Sequence, residues 1–570
     1  MATNFVAGSN LKGCAAGANW TFLLPRLELE QIVCIGALPL TSLPTLSRLG
    51  QQVWIVSSSA QQVRHIAEAS SRIRLRNLQL IFADNPAELP FASQTSDVVV
   101  IGGRSGLRRL QRDHALLTEI RRVLKPEGWV YLEFGGLLEA LFDRRDMENL
   151  SEEFGGAQLF WLTPSQGEMQ TAVPLRDRAM RDYFLNHRLY GPSIELRGWG
   201  HAEHLLNKNR FVARLTHRRG ALAGCGASNG GDQLPAYLQS ILREAGFESS
   251  NYRWGLSAPG DYNSRKVLFF LFDRASGTPE FIVKMTRDPA LNYRLENECH
   301  ALIELRQKEI GCRETMPQIA FHGNHASLAI VGETFIEGVP FRARTRATSD
   351  GPYVRAAITC LTDLGAQTAD HSAATPLQAA ACLKILFDRF REFYSLTPEH
   401  DQFLTDQIAA IASSSDPFPV VFQHGDPGTW NVLVTPAGGI AFLDWEAAES
   451  KGMPLWDLFY FLRSYSVWVA RAHGTRDRLK GLAQQFLAES SLSALVVESV
   501  ERYCVEVGVP RHLVEPLFYT CWMHRALKES TRLPPAELEN GSYVRFLRLC
   551  IAQRDAPTLK QIFQRSSDVS

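Results

Sequence analysis

The sequence predicts a multidomain chain: an α/β domain on a mainly parallel sheet, then an α+β domain with a strand-rich first part and a helical second part. Three observations carry this. The chain has 570 residues, more than one hydrophobic core usually serves. From Ile32 to Phe134, apolar runs without strict polar alternation alternate with helical stretches, the pattern of parallel strands covered on both faces. Beyond Gly220 the order becomes a few strand-like runs followed, after about residue 352, by mostly helical sequence.

Residues 1–27 read as a tail or an irregular cap, and a first domain is expected over 28–219. Its strands are IVCIG, VWIVSSS, LQLIFAD, VVVIGG and WVYLEF. Between the last two, Leu116, Leu117, Ile120 and Leu124 recur at helical spacing within Asp113–Lys125 and would cover the sheet. The pattern over 160–220 is less regular. Gly220–Asp232 holds five glycines with Ala, Ser and Asn and no periodicity, so a linker is expected over 220–239. The helical stretch LPAYLQSILREAGFE follows, then strand-like KVLFFLFD, EFIVKM and LAIVGETFIEG, with the helix ENECHALIELRQKE between the second and third. Residues 556–570 read as a C-terminal tail.

Composition excludes several classes. Sixty Lys+Arg balance sixty Asp+Glu, which removes the broad positive field of a general nucleic-acid binder and the negative one of a cation collector. Ten cysteines are thinly spread without a CxxC pair, as for free thiols in a reducing compartment. The N-terminus shows no basic region followed by an apolar run and a cleavage site. The densest apolar runs are strand-sized, far short of the roughly 20 residues that span a bilayer. A cytoplasmic protein without a transmembrane segment is expected.

The window FQHGDPGTWNVLVTPAGGIAFLDWE, residues 422–446, carries the chemistry. NVLVT and IAFLD read as two short strands joined by Pro-Ala-Gly-Gly. Asp426 and Asn431 then precede one strand and Asp444 ends the other, so the three can converge. A carboxylate can orient or deprotonate a hydroxyl, while an amide oxygen and a second carboxylate suit Mg²⁺ on nucleotide phosphates. Taken alone, HGD is more often an ordinary turn with Asp426 capping amides; the ordered set is far more specific.

HGDPGTWN and FLDWE resemble the catalytic and metal-binding loops of the aminoglycoside phosphotransferase/choline kinase-like family, over roughly residues 240–550. The resemblance implies a two-lobed, protein-kinase-like domain with an N-lobe at 240–340 and a helical C-lobe at 341–555. It implies Asp426 as catalytic base, Asn431 and Asp444 as Mg²⁺ ligands, His424 as a loop-organising residue and Asp457 as a support of that loop. The part of Glu446 is left open. Lys284 in EFIVKM resembles the phosphate-contacting lysine, and Glu298 rather than Glu296 the helix glutamate that fixes it, through a Glu-x-x-x-Leu match to Leu302. With Gly260 the single glycine in SAPGDYNSRKVLFF, the phosphate-covering loop would use Ser257, Asn263 and Ser264. Phe335 would mark the hinge where backbone meets adenine, with Gly338 allowing the turn out of it. ATP and Mg²⁺ are the implied cofactors, and the acceptor a hydroxyl of a small molecule or glycan. Trp456, Tyr460, Trp468, Trp522 and His524 in the helical lobe suit acceptor binding or, more commonly, core packing.

FADNPAELPFASQTSDVVVIGG and LLTEIRRVLKPEGWVYLEF resemble a class I S-adenosylmethionine-dependent methyltransferase over roughly 28–135, with a Rossmann-like fold. Asp84 would approach adenine, Asp97 begin the central strand, and Lys125, Pro126 and Gly128 be structural. Two departures stand out. CIGALPLTSLP offers Gly36 where several glycines are expected and adds Pro39, and Ser57 stands where a carboxylate would hold the ribose. The expectation is a domain that holds S-adenosylmethionine weakly or not at all and serves support, substrate presentation or a protein partner. The alternatives are a bifunctional kinase and methyltransferase acting on a sugar or glycan, and a non-catalytic scaffold.

Overall fold

The computed structural model describes residues 17–83, 88–103, 114–134, 151–165, 168–186, 218–224, 233–258, 266–310, 315–348 and 350–564. The chain divides into two compact units. One holds the described residues of Gly13–Leu295 and Ile319–Phe335, the other those of Glu296–Gln318 and Ile336–Ser570. No described helix is long and apolar enough to cross a membrane.

In the first unit, β1 (Leu29–Ile35), β2 (Gly50–Ser57), β3 (Leu78–Phe82), β4 (Ser96–Ile101) and β5 (Leu124–Phe134) are parallel, in the order β3-β2-β1-β4-β5. This is the Rossmann-like arrangement the sequence predicts. Every residue of β4 is buried, which explains the absence of polar alternation. Helix His114–Val123 turns Leu116 and Ile120 inward, as the spacing predicts, together with Val123, while Leu117 is partly buried and Leu124 opens β5. The order reverses between β1 and β4, so the ligand crevice of such a sheet lies at their carboxyl ends.

Asp97 opens β4 and ties it to its neighbour. Its carboxylate accepts the amides of Glu30 (2.7 Å) and Gln31 (2.9 Å), pairs with Arg26 (2.7 Å) and takes the Lys125 ammonium (3.0 Å). Burial alone would raise its pKa; the Gln31 amide, Lys125 and the Glu30 amide outweigh that and hold it below the usual range.

The sheet continues into residues beyond the expected linker. β6 (Ala157–Ser165), β7 (Glu168–Pro174) and β8 (Arg218–Gly224) add antiparallel neighbours in the order β5-β8-β6-β7. β9 (Tyr252–Ser257), β10 (Lys266–Asp273), β11 (Pro279–Thr286), β12 (Ile319–His325) and β13 (Leu328–Thr334) form an antiparallel group, β12-β13-β11-β10-β9. β7 pairs with β9 through Thr171–Ser257 and Ala172–Leu256, so the described strands make one 13-stranded sheet. Side chains seal this join on both faces. Phe160, Met169 and Ala172 share a core with Trp254, Leu256 and Phe269, while Trp161, Val173 and Met180 pack with Phe270, Phe272 and Ile282.

One expectation changes here, and another, tail or cap, resolves as a cap. The stretch expected as a linker begins inside β8: Gly220 and Gly224 sit between β5 and β6, where their missing side chains allow close packing, and a Cβ on Gly224 would lie 2.8 Å from the Gly128 carbonyl. Its continuation, 225–232, lies outside the described residues. At the N-terminus, 17–27 form a packed cap, with Trp20 stacked on Tyr131 at 4.6 Å and Phe22, Leu23, Leu24 and Leu27 buried. Asn19 donates to Met169 O (2.5 Å) and accepts from Arg287, and Tyr237 donates to Phe22 O (2.8 Å). The cap thus bridges both parts of the sheet.

The second unit is mainly helical, as the sequence predicts after about residue 352. Helices Pro352–Thr368, Pro376–Phe393, Pro398–Ala412, Trp456–Ala472, Ser491–Val507, Val514–Ser530 and Ser542–Ala552 surround a core containing Phe390, Tyr519 and Trp522. Proline in the first turn and side-chain caps such as the Thr375–Gln378 box fix several starts. Residues 556–570, expected as a tail, form a helix at Pro557–Phe563 whose Leu559, Ile562 and Phe563 are buried.

Asp97→Ala should cost about 2–4 kcal/mol at neutral pH by stranding two strand amides. Because the folded carboxyl is held low, its contribution is present above the ordinary aspartate range and lost as pH falls through the folded value. Urea titrations should therefore show wild type and variant converging in acid.

Candidate active site

The second unit assembles the 422–446 window. β14 (Val421–Gln423) delivers the buried His424, and β15 (Val432–Val434) and β16 (Ile440–Phe442) form the predicted hairpin. Between them Gly428 N–H donates to Asp426 O (2.8 Å) and Asn431 N–H to Gly428 O (2.8 Å), a tight double turn. Gly425 adopts φ +77°, and a Cβ there would meet Ala447 O at 1.9 Å, so no other residue fits.

Asp457, at the start of helix Trp456–Ala472, holds this loop. Its carboxylate accepts His424 N–H (2.6 Å) and Gly425 N–H (3.1 Å). Burial raises its pKa, with His424 and Arg525 opposing. His424 is neutral and structural, as the resemblance implies: Nδ1 accepts the Asp426 amide (3.2 Å) and Nε2 meets Leu443 O (3.0 Å). Burial holds its pKa down against the pull of Asp457, Asp426 and Asp444.

Asp426, Asn431 and Asp444 stand on this frame. The Asn431 amide nitrogen donates to Asp426 O (3.0 Å) and lies 3.4 Å from Asp426 Oδ2, which leaves its oxygen as the donor atom for a cation. Leu443 N–H donates to Asn431 O (2.8 Å), locking the residue before Asp444 to the loop. Asp444 itself takes φ +68°, a left-handed conformation that is uncommon outside glycine and clusters at functional sites. An amide oxygen and a carboxylate are the hard donors that magnesium prefers. Among the described residues no three His, Cys, Asp or Glu side chains form a metal-binding group; magnesium held largely by water and phosphate needs one or two protein carboxylates.

Glu298 has a function that sequence reasoning missed. Its Oε1 accepts the Trp445 amide (2.8 Å), the residue after Asp444, and the neighbouring Asn297 donates to Glu446 O (3.2 Å) and Ala448 O (2.9 Å). The Glu446 carbonyl is thus tied down. Lys284 lies in β11 of the first unit, where its ammonium meets Glu333 on β13 at 2.8 Å, and both are buried. Glu333 was also missed. The strand pairing Lys284–Val331 with Ile282–Glu333 brings that glutamate close, but nothing in the one-dimensional sequence marks it.

Ser257 ends β9 and pairs with Leu268, while Asn263, Ser264 and Gly260 lie outside the described residues. Phe335 follows β13 and donates its amide to Glu280 O (2.8 Å). Gly338 does not serve a left-handed turn. It allows close approach, since a Cβ would lie 3.0 Å from Leu433 Cβ and Val434 O. Trp522 is core, packed on Phe546 at 5.0 Å, and Trp456 is buried against His524. Tyr460 instead borders Asp426, beneath the Arg525 guanidinium at 3.5 Å, and Arg525 Nη1 lies 3.9 Å from Asp426 Oδ1. Arg525, fully within a helix, was not foreseen.

At the crevice of the parallel sheet, Gly36 has φ +95° and donates to Val56 O (2.9 Å). Ser57 Oγ donates to Gln62 Oε1 (2.8 Å), and Gln62 Nε2 donates to Gly36 O (3.2 Å), bridging the ends of β1 and β2. Asp84 lies outside the described residues.

Residues 258–490 match the phosphotransferase enzyme family, and residues 33–132 match a methyltransferase domain. No curated protein matches the chain. Solved structures that align include the aminoglycoside phosphotransferase APH(3'')-Id from Streptomyces rimosus, at 16% identity over 51% of this chain and 97% of that one, with a TM-score of 0.30. The bifunctional kinase-methyltransferase WbdD aligns at 12% identity over 92% of this chain and 88% of that one, TM-score 0.26. A SAM-dependent methyltransferase from Aquifex aeolicus aligns at 14% identity over 27% and 90%, TM-score 0.21. The chain therefore joins an N-terminal methyltransferase-like domain to a C-terminal kinase-like domain. The latter is an ATP-dependent phosphotransferase.

Asp457→Ala should lower stability by roughly 2–5 kcal/mol, from two stranded amides, and Asp457→Asn, which keeps one acceptor oxygen, should recover part of it. Urea denaturation measures both. Equal stability of Asp457→Ala and wild type would contradict this account of the loop.

Proposed function

We propose that the protein transfers the γ-phosphoryl group of ATP to a hydroxyl of a small molecule or glycan. The observation that carries the reading is the Asn431–Asp426 bond together with the tie of Leu443 N–H to Asn431 O, which holds the residue before Asp444 to the same loop. Asp426 receives or orients the acceptor proton. Asn431 through its oxygen and Asp444 through its carboxylate are the residues that would hold magnesium, whose charge offsets that of the phosphates when bound. Glu298 fixes the Asp444 segment through Trp445. Lys284, paired with Glu333, serves the phosphates, with Ser257, Asn263 and Ser264 in the covering loop and Phe335 near adenine. His424 contributes geometry and no proton.

A second reading adds methyl transfer, so that the chain is bifunctional. It is favoured over a purely supporting first domain by the methyltransferase match at 33–132 and by glycines 36, 102 and 103 at the reversal point of the parallel sheet. Ser57 would then serve the ribose with one hydroxyl after release from Gln62. S-adenosylmethionine binding is accordingly weak.

With Mg²⁺ and ATP, Asp426→Asn should lose about 10²–10⁴ in kcat, and Lys284→Ala should abolish productive turnover. Normal rates in both variants would sink the phosphotransferase reading. For the second reading, calorimetry should find millimolar S-adenosylmethionine binding that Ser57→Asp strengthens. No heat or thermal shift from either protein would count against it.

A further inference from the structure

The surroundings of Asp426 are basic and aromatic. Arg342 donates to Thr429 Oγ1 (2.9 Å) and lies over Trp430 at 5.5 Å. Trp430 is 48% exposed, an unusual state for tryptophan, and meets Tyr460 edge-on at 6.1 Å. Tyr543 donates to the Tyr460 hydroxyl (3.2 Å), and Arg463 sits 4.1 Å above the Tyr543 ring. A continuous chain of contacts thus runs from Arg342 and the exposed Trp430 through the buried Tyr460, then Tyr543, to Arg463.

No direct ion pair among the described residues neutralises these cations. Arg463 is 5% exposed, bonds Ser542 Oγ (2.6 Å) and leaves its buried Nε without a hydrogen-bond partner. Among the described residues, Arg342, Arg463 and Arg478 form no ion pair. Arg342 is pushed down to about 10, chiefly by burial and then by Arg471 and Arg478. Arg478, exposed but partly desolvated by its neighbours, is lowered by that desolvation and by Arg471 and Arg463, with Tyr543 and Glu529 opposing. Such mutual repulsion shows that the cations share one field. The carboxylates beside it are engaged: Asp426 lies 3.9 Å from Arg525, Glu449 is 3.8 Å from Lys528, and Glu529 accepts the Tyr543 amide (3.0 Å). A cationic acceptor would be repelled here.

The geometry points to an anionic acceptor: a sugar or similar hydroxylated ring bearing a carboxylate or phosphate, stacked on Trp430 with its negative group toward Arg342, Arg463 and Arg478. This rests on the reading of Asp426 as the residue that meets the acceptor hydroxyl. Guanidinium forks suit both oxyanions, and the exposed indole face suits a ring. The basic field also attracts the acceptor from solution, an effect that salt weakens.

The test is calorimetry on the full-length protein with Mg²⁺ and a non-hydrolysable ATP analogue, using glucose, glucuronate, glucose 6-phosphate and glucosamine. At least one anionic sugar should bind tenfold or more tightly than glucose, with glucosamine weakest. Which anion leads separates a carboxylated from a phosphorylated acceptor. The preference should shrink at least fivefold in Arg478→Ala, an exposed position whose fold is checked by circular dichroism, and should shrink again at high salt. Equal or tighter binding of glucose or glucosamine, no binding of any of the four, or an unchanged preference in the variant would overturn the proposal. Nucleotide binding is measured in the same experiment. Its absence indicts the phosphotransferase reading, whereas intact nucleotide binding without anion preference indicts this proposal alone.

Discussion

The bond between the Asp457 carboxylate and the amides of His424 and Gly425 is the constraint on which the catalytic end of the protein depends. It fixes the chain where Gly425 turns left-handed against Ala447, which aims Asp426 and lets Asn431 reach back to it. His424 then carries the order onward, holding the Asp426 amide on one ring nitrogen and Leu443 on the other. One half-buried carboxylate thereby positions Asp426, Asn431 and, through Leu443, the left-handed Asp444 that follows it. The cost of desolvating Asp457 is offset in part by His424 and Arg525 and by the two amides it accepts.

The first unit shows a different economy. An exposed β7 or β9 edge would invite pairing with other chains. Here each edge covers the other, and large apolar side chains close both faces of the join. The methyltransferase-like sheet and the strands that carry Lys284 are therefore one folding unit, stitched further by the cap at residues 17–27.

Much of this was legible in the sequence where local rules suffice. The runs IVCIG, VVVIGG, KVLFFLF and EFIVKM form strands because they are fully buried, and the HGD-to-LDWE window folds as a hairpin because its turn residues dictate one. What escaped reading depends on partners distant in sequence. Gly220 and Gly224 look like linker glycines until β5 and β6 close around them. Glu333 acquires meaning when strand pairing sets it beside Lys284, and Arg525 when its helix brings it over Tyr460. Glu298, singled out for the lysine, also accepts the Trp445 amide, a partner 147 positions away that no local rule reveals.

The central claim is that Asp444 supplies a magnesium ligand from a left-handed position. Asp444→Gly tests this most directly, because glycine relieves the backbone strain while removing the carboxylate. Nucleotide binding should be measured by calorimetry with and without Mg²⁺ in both proteins, alongside thermal melting. The account predicts a variant at least as stable as wild type that binds ATP with no gain from magnesium. A variant whose affinity rises with magnesium as much as that of wild type would contradict it.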